Sequence, residues 1–348
     1  MKTKFYIDDS LLIDALEKEY ELSITSFYFL PKGDSAYVYI VKCSNTKTYF
    51  LKLYDNNTDG GKSRIKDLDT YLPVTREMYD RQLFTHLSYP YKNTSGNFST
   101  HLGFATIILF NYIEGRTLED DYPFSLEVNK NIAYTLARMH STTPYLDLSS
   151  TRFETFDISY LDNLKKHLSY LERPTKSSNQ YICSLKDYIL PRKAVINNFV
   201  EGLLKYQLRS KQLLESGKLD MVVSHGDVWG GNLIMDDEDN LNLVDWESTI
   251  IAPAERDIRN YTDDYFDCFT EEYETSLGSK INLHADIFGY YLYNSHLANL
   301  TNWIQRILFE DNNAEQNEND LDCIMNHCMN RWPGVVDTLK NIDSLLQN

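Results

Sequence analysis

Ser224-His225-Gly226-Asp227-Val228-Trp229-Gly230-Gly231-Asn232, followed by Asp245-Trp246-Glu247, sets an Asp, an Asn and a second Asp in fixed order. Phosphoryl transfer from a nucleotide uses side chains of these types in this order. One carboxylate accepts or orients the proton of an attacking hydroxyl, while an amide oxygen and a second carboxylate hold a divalent cation against phosphates. An Asp–x₄–Asn spacing alone also arises in turns, where both residues bond their own backbone. His225 two residues ahead and Asp245 at the end of a hairpin carry the pattern past that reading. Gly230-Gly231 implies a tight turn or a close backbone approach. His225 is expected to orient backbone or a carboxylate through its ring nitrogens.

Outward from this stretch, short apolar runs at 221–223, 232–235 and 241–244 surround the turn Asp236 to Asn240. Toward the N-terminus the pattern is mostly strand. A helix over 10–21, capped by Ser10, precedes strands at 24–30, 36–43, 48–54 and 104–113. Residues 55–62 and 91–100 read as loops, and a helix is predicted over 73–87 with Pro73 in its first turn. After Gly115 amphipathic helices dominate, at about 125–141, 157–172, 185–215, 257–277, 284–309 and 320–345. The acid- and Asn-rich run Glu310 to Asp320 reads as a solvated loop. Strands first and helices later predict an α+β chain: an N-terminal antiparallel sheet lobe (1–110), a connection (111–115) and a mainly helical C-terminal lobe (116–348).

Of 348 residues, 42% are hydrophobic and 24% charged, an ordinary globular balance, and no apolar run is long enough to span a membrane. The start of the chain has no signal-peptide pattern, and five cysteines without a C-x-x-C pair fit a reducing compartment. The expectation is a cytoplasmic protein. A net charge of -17 argues against nucleic acid or an anionic membrane as partner. Cys323, His327 and Cys328 are too few for a zinc site and read as a helix face.

His225-Gly226-Asp227, Asn232 and Asp245 resemble the catalytic loop and metal-binding segment of the aminoglycoside phosphotransferase and choline kinase superfamily. The continuation Ala252-Pro253-Ala254-Glu255-Arg256-Asp257 draws the likeness toward antibiotic-modifying members. The resemblance implies a protein-kinase-like bilobal fold, ATP or GTP as phosphoryl donor, and Mg²⁺. It implies Asp227 as catalytic base or hydroxyl-orienting group and Asn232 and Asp245 as Mg²⁺ ligands. Lys52 matches the lysine on the α/β-phosphates, although a lone Lys in an amphipathic strand usually faces solvent. A carboxylate on the following helix is then expected to pair with Lys52, with Glu77 the choice and Asp67 or Asp69 as alternatives. Gly33 and Ser35 fall in the loop over the phosphates, a stretch that on its own reads as a hairpin turn with one glycine instead of three. Asn111, Tyr112 and Ile113 occupy the hinge, where backbone groups would bond a purine. Leu136 to His140 matches a family helix and is read as core. Asp257 is expected to anchor the catalytic loop. Trp246-Glu247 departs from the Phe-Gly of protein kinases, as suits a permanently formed small-molecule site.

Seven acids between 257 and 274 (Asp257, Asp263, Asp264, Asp267, Glu271, Glu272, Glu274) face one base, Arg259. Such a wall would attract amines, and a solvated helix face has the same composition. Asp263, Asp264 and Asp267 are the candidates for contacting a small-molecule acceptor, and Glu247 for touching the metal cluster or a substrate amine. Three readings compete: phosphorylation of a cationic aminoglycoside or aminocyclitol; phosphorylation of a metabolite such as choline, homoserine or methylthioribose; and a nucleotide-binding regulator without catalysis. Intact Lys52, Asp227, Asn232 and Asp245 argue against the third.

Overall fold

The computed structural model describes residues 3–33, 36–174, 179–262, 264–310 and 313–346. In chain order the elements are α1 (Asp9–Tyr20), β1 (Ile24–Leu30), β2 (Tyr37–Cys43), β3 (Thr48–Asp55), α2 (Asp59–Asp80), β4 (Thr100–His101), β5 (Ala105–Asn111), β6 (Arg116–Thr117), α3 (Leu126–His140), α4 (Leu161–Glu172), α5 (Gln180–Ile189) and α6 (Lys193–Glu215). There follow β7 (Met221–Ser224), β8 (Leu233–Met235), β9 (Leu241–Leu243), β10 (Ile250–Pro253), α7 (Glu255–Ile258), α8 (Phe266–Leu277), α9 (Ala285–Phe309), α10 (Ala314–Asp322) and α11 (Trp332–Leu346). The chain divides into two compact units. One comprises residues 1–153, 222–252 and 268–280, the other residues 154–221, 253–267 and 281–348. The helical stretch expected from 116 onward is therefore shared: 116–153 and 222–252 belong with the N-terminal sheet.

The first unit is built on a five-stranded antiparallel sheet in the order β1-β2-β3-β5-β4. Side chains alternate between its faces. Tyr49, Leu51 and Leu53 of β3 join Tyr39, Val41, Ile107 and Leu109 in a core covered by Leu12 and Leu16 of α1. The intervening residues Phe50 and Lys52, with Val38, Ile40 and Phe110, line a cavity of about 400 Å³. Lys52 lies opposite Val38 on one side and Ile108 on the other. It thus stands among apolar neighbours and is buried despite its charge. Two small sheets, β6-β8-β9 and β7-β10, carry the loop at 225–232 and the turn at 245–248.

The second unit is helical. Its longest helix, α9, buries Ile287, Phe288, Tyr291, Leu300 and Ile304 and packs along α6, with α4, α7, α10 and α11 around it. Phe199 stacks on Trp332 with ring centroids 4.0 Å apart.

Several boundaries differ from those predicted. The N-cap of α1 is Asp8, whose carboxylate accepts from Ser10 N at 2.9 Å; Ser10 itself is helical. α2 starts at Asp59 because Thr58 caps it, accepting from Gly61 N. Pro73 is consequently inside the helix, where it removes one backbone hydrogen bond, while Leu68, Tyr71, Leu72, Thr75 and Met78 hold the helix by burial. The helix predicted over 185–215 is two, divided by a turn around Pro191. Residues 314–322 are helix rather than solvated loop: Asn313 caps them, and the fully buried Asp320 carboxylate is held by Arg306, with Nε–Oδ2 at 2.8 Å. Among the described residues no helix is long and apolar enough to cross a membrane.

Candidate active site

β7 ends at Ser224, and the chain turns through His225 and Gly226 into the loop that carries Asp227. The buried His225 ring fixes this turn. Its Nε2 donates to Val244 O (2.9 Å), its Nδ1 accepts from Asp227 N (3.3 Å), and its ring lies against Trp246 at 4.7 Å. One side chain therefore locks the Asp227 loop to the strand end that precedes Asp245.

The Asp227 side chain is exposed. Asn232 donates through Nδ2 to both Asp227 O and Asp227 Oδ2, each at 2.9 Å. This amide orientation turns Asn232 Oδ1 away from Asp227, and Asn232 lines the cavity. Gly230 lets the loop close: a Cβ there would lie 2.4 Å from Leu118 O. At Gly231 a Cβ would lie 2.3 Å from the ring of Trp229, which covers the glycine while remaining 40% exposed.

Asp245 has φ 67° and ψ 67°, a left-handed conformation that a non-glycine residue adopts at a cost. The conformation aims its carboxylate at the cavity and begins a short helical turn, Trp246–Ser248. Lys52 Nζ donates to Asp245 Oδ1 and to Glu247 Oε1, both at 2.7 Å. Tyr54 Oη donates to the same Glu247 Oε1 at 2.5 Å, and Arg64 lies 3.4 Å from Oε2. Burial alone would discharge both partners. It pulls the Lys52 pKa down, but the two carboxylates override it and hold the ammonium above its usual range. Burial likewise pushes Glu247 up, and Lys52 and Arg64 outweigh it, so its carboxyl is held well below the usual carboxylate range. Tyr54 and Tyr71, buried beside these charges, are raised by burial and by Glu247.

The carboxylate expected from the helix is not Lys52's partner. Glu77 accepts from Arg81 Nη1 at 2.5 Å and from Asp147 N at 2.9 Å, which fixes it elsewhere on α2. Asp67 pairs with Arg152 and Asp69 is exposed. Glu247 takes that place. No spacing rule links residues 52 and 247; the signal available was the unexplained acid after Trp246.

Gly33 lines the cavity beside Lys32 and Ala36, while Ser35 lies outside the described residues. Asn111, Tyr112 and Ile113 also line it. The Asn111 backbone N–H, however, donates to Tyr89 O (3.2 Å), and its side chain clamps Tyr89 N (2.7 Å) and Leu87 O (3.3 Å). Asn111 thus braces the connection, and Tyr112 and Ile113 remain to offer backbone groups. His140 bonds Tyr273 Oη at 2.6 Å within the core. In the other unit Asp264 and Asp267 are exposed, Asp257 is fully buried, and Asp263 lies outside the described residues.

Two hard oxygen donors, Asn232 Oδ1 and the Asp245 carboxylate, are what a small divalent cation needs when phosphates and water complete its shell. Among the described residues no group of three His, Cys, Asp or Glu side chains could hold a metal by itself. A cation bound together with a nucleotide therefore fits this donor set better than a protein-only cage.

The sequence over residues 29–273 matches the phosphotransferase enzyme family, and the chain belongs to it. It is a small-molecule kinase, an enzyme that phosphorylates an alcohol. No curated protein matches. Among solved structures, spectinomycin phosphotransferase in complex with ADP and spectinomycin is similar over 92% of this chain and 94% of that one (TM-score 0.70, 18% identity). A microcompartment-associated aminopropanol kinase is similar over 96% and 100% (TM-score 0.60, 13% identity). Choline kinase from Streptococcus pneumoniae is similar over 95% and 98% (TM-score 0.53, 16% identity). The fold is thus the protein-kinase-like one that the motifs implied.

Proposed function

We propose that this enzyme transfers the terminal phosphoryl group of ATP or GTP to a hydroxyl of a small cationic acceptor, an aminoglycoside or aminocyclitol. The observation that carries the reading is the alignment of Asp227, Asn232, Asp245 and Lys52 by one hydrogen-bonded frame at the edge of a cavity of about 400 Å³. In this reading residues 1–110 hold the nucleotide, 111–115 form the hinge, and 116–348 carry the catalytic loop and the acceptor site.

The cavity takes the purine and ribose between apolar side chains of β2, β3 and β5. Backbone groups of Tyr112 and Ile113 meet the base edge, and Gly33 approaches the phosphates. Lys52 offers the ammonium hydrogen left over from its two carboxylate bonds to a phosphate oxygen. Asn232 and Asp245 would hold Mg²⁺, which when bound neutralises phosphate charge. Asp227, exposed and oriented by Asn232, accepts the proton of the acceptor hydroxyl as its oxygen bonds to the γ-phosphorus. The bond to the bridging oxygen breaks and the nucleoside diphosphate leaves.

A cationic acceptor suits a chain of net charge -17. The likeness to aminopropanol and choline kinases favours a second reading, in which the acceptor is a small aminoalcohol.

The test is Mg²⁺-dependent ADP or GDP release with spectinomycin, aminoglycosides, choline, aminopropanol, homoserine and methylthioribose. Turnover is expected with one class of amine, and Asp227→Asn should lower kcat by roughly 10²–10⁴-fold while nucleotide affinity is kept. Undiminished turnover in that variant would remove Asp227 from its role. Nucleotide binding without any acceptor turnover would favour a non-catalytic regulator.

A further inference from the structure

We propose that Glu247 is the positioning residue of Lys52, and that it holds the lysine rather than a metal ion. The inference rests on the kinase reading above and concerns how its phosphate-binding lysine is oriented. Four observations converge on it. Glu247 Oε1 accepts from both Lys52 Nζ and Tyr54 Oη, and Oε2 faces Arg64, so both oxygens are engaged inside the protein. The carboxylate is buried and does not line the cavity, whereas Asp245, two residues earlier, does. A cation bridging nucleotide phosphates needs oxygens that face the cavity.

Among the described residues no carboxylate of α2 pairs with Lys52. The helix sends Arg64 toward this cluster instead, so it contributes a cation where an anion was expected. Finally, the two carboxylates that hold Lys52 stand two residues apart, Asp245 as the strained cap of the Trp246–Ser248 turn and Glu247 within it. Two of the three ammonium hydrogens are thereby committed to carboxylates and the third is left for a phosphate. The lysine's aim is then set by the turn that carries Asp245, not by the position of α2.

The test compares ADP with adenosine, which lacks phosphates, by titration calorimetry on the full chain, in Mg²⁺ and in EDTA. An anchor of Lys52 acts whether or not metal is present; a metal ligand acts only when it is. Glu247→Gln is expected to weaken ADP about tenfold or more in both buffers and to leave adenosine within twofold. Tyr54→Phe, which removes a donor to the same oxygen, should give a smaller loss with the same pattern, and Glu77→Gln none. A loss of ADP confined to Mg²⁺ buffer would make Glu247 a metal ligand and overturn the proposal. An equal loss of adenosine would assign it a structural role only, and unchanged ADP binding in both Glu247→Gln and Tyr54→Phe would refute it. Wild-type protein that binds no ADP would remove the kinase reading itself, and the anchoring role with it.

Discussion

Glu247 and Glu255 stand eight residues apart and are both buried, yet they meet opposite electrostatic fates. Glu247, in the unit built on the sheet, is surrounded by Lys52, Arg64 and the Tyr54 hydroxyl and is held charged. Glu255, in the helical unit, accepts from His284 N at 2.7 Å. Its full burial, with Asp220 adding to it and backbone bonds opposing, raises its carboxyl to about 7. Depth therefore does not decide the charge of a buried acid; the partners do.

The two glutamates should therefore respond to pH with opposite signs. Glu247 binds its proton less readily in the folded chain than in the unfolded one. Its contribution is present above its ordinary value of 4.5 and fades as pH falls below that toward the depressed folded value. Glu255 binds its proton more readily when folded, so its carboxyl favours folding below 4.5 and loses that advantage as pH rises to about 7.

The largest effect is expected of Lys52→Met, which removes the buried cation beside Glu247 and leaves half-exposed Arg64 near its other oxygen. A loss of about 3–5 kcal/mol in urea unfolding is expected at pH 7, much of it recovered in Lys52→Met/Glu247→Gln, where neither charge remains. An undestabilised single variant would show that the pair contributes nothing. Next, Glu255→Gln should flatten the stability decline between pH 5 and 8. At pH 8 the variant should exceed the wild type by roughly 3 kcal/mol, the equivalent of a shift from 4.5 to about 7. Calorimetric melting at both pH values reads this directly, and parallel wild-type and variant curves would count against a neutral Glu255. Tyr54→Phe should cost about 2 kcal/mol, because the hydroxyl bonds a charged group. Arg64→Gln, at a position with a 46% exposed side chain, should change unfolding by less than about 1 kcal/mol. A larger loss would mean that Arg64 shares equally in holding Glu247.

The same contrast explains what could be read in advance. The strands at 24–30, 37–43 and 48–55 were legible because alternation is a local signal, and Asp227, Asn232 and Asp245 could be singled out because the proposed phosphoryl transfer would need those residue types in that order. Pro73 misled because burial of Tyr71, Leu72 and Met78 outweighs one missing hydrogen bond, a tertiary effect. Asp320 looked solvated because nothing nearby in sequence announces Arg306. The exchange of Glu77 for Glu247 has the same origin: Lys52 could be placed on its strand, but the partner arrives from almost two hundred residues away.

The indole of Trp229 lies across Gly231, two residues from Asp227, and is 40% exposed, whereas Trp246 and Trp332 are almost wholly enclosed. Its fluorescence should therefore be the most open of these three to added iodide. On the proposed reading an acceptor that settles over the loop carrying Asp227 would shield it, which would give an optical report of occupancy usable with compounds that are never turned over.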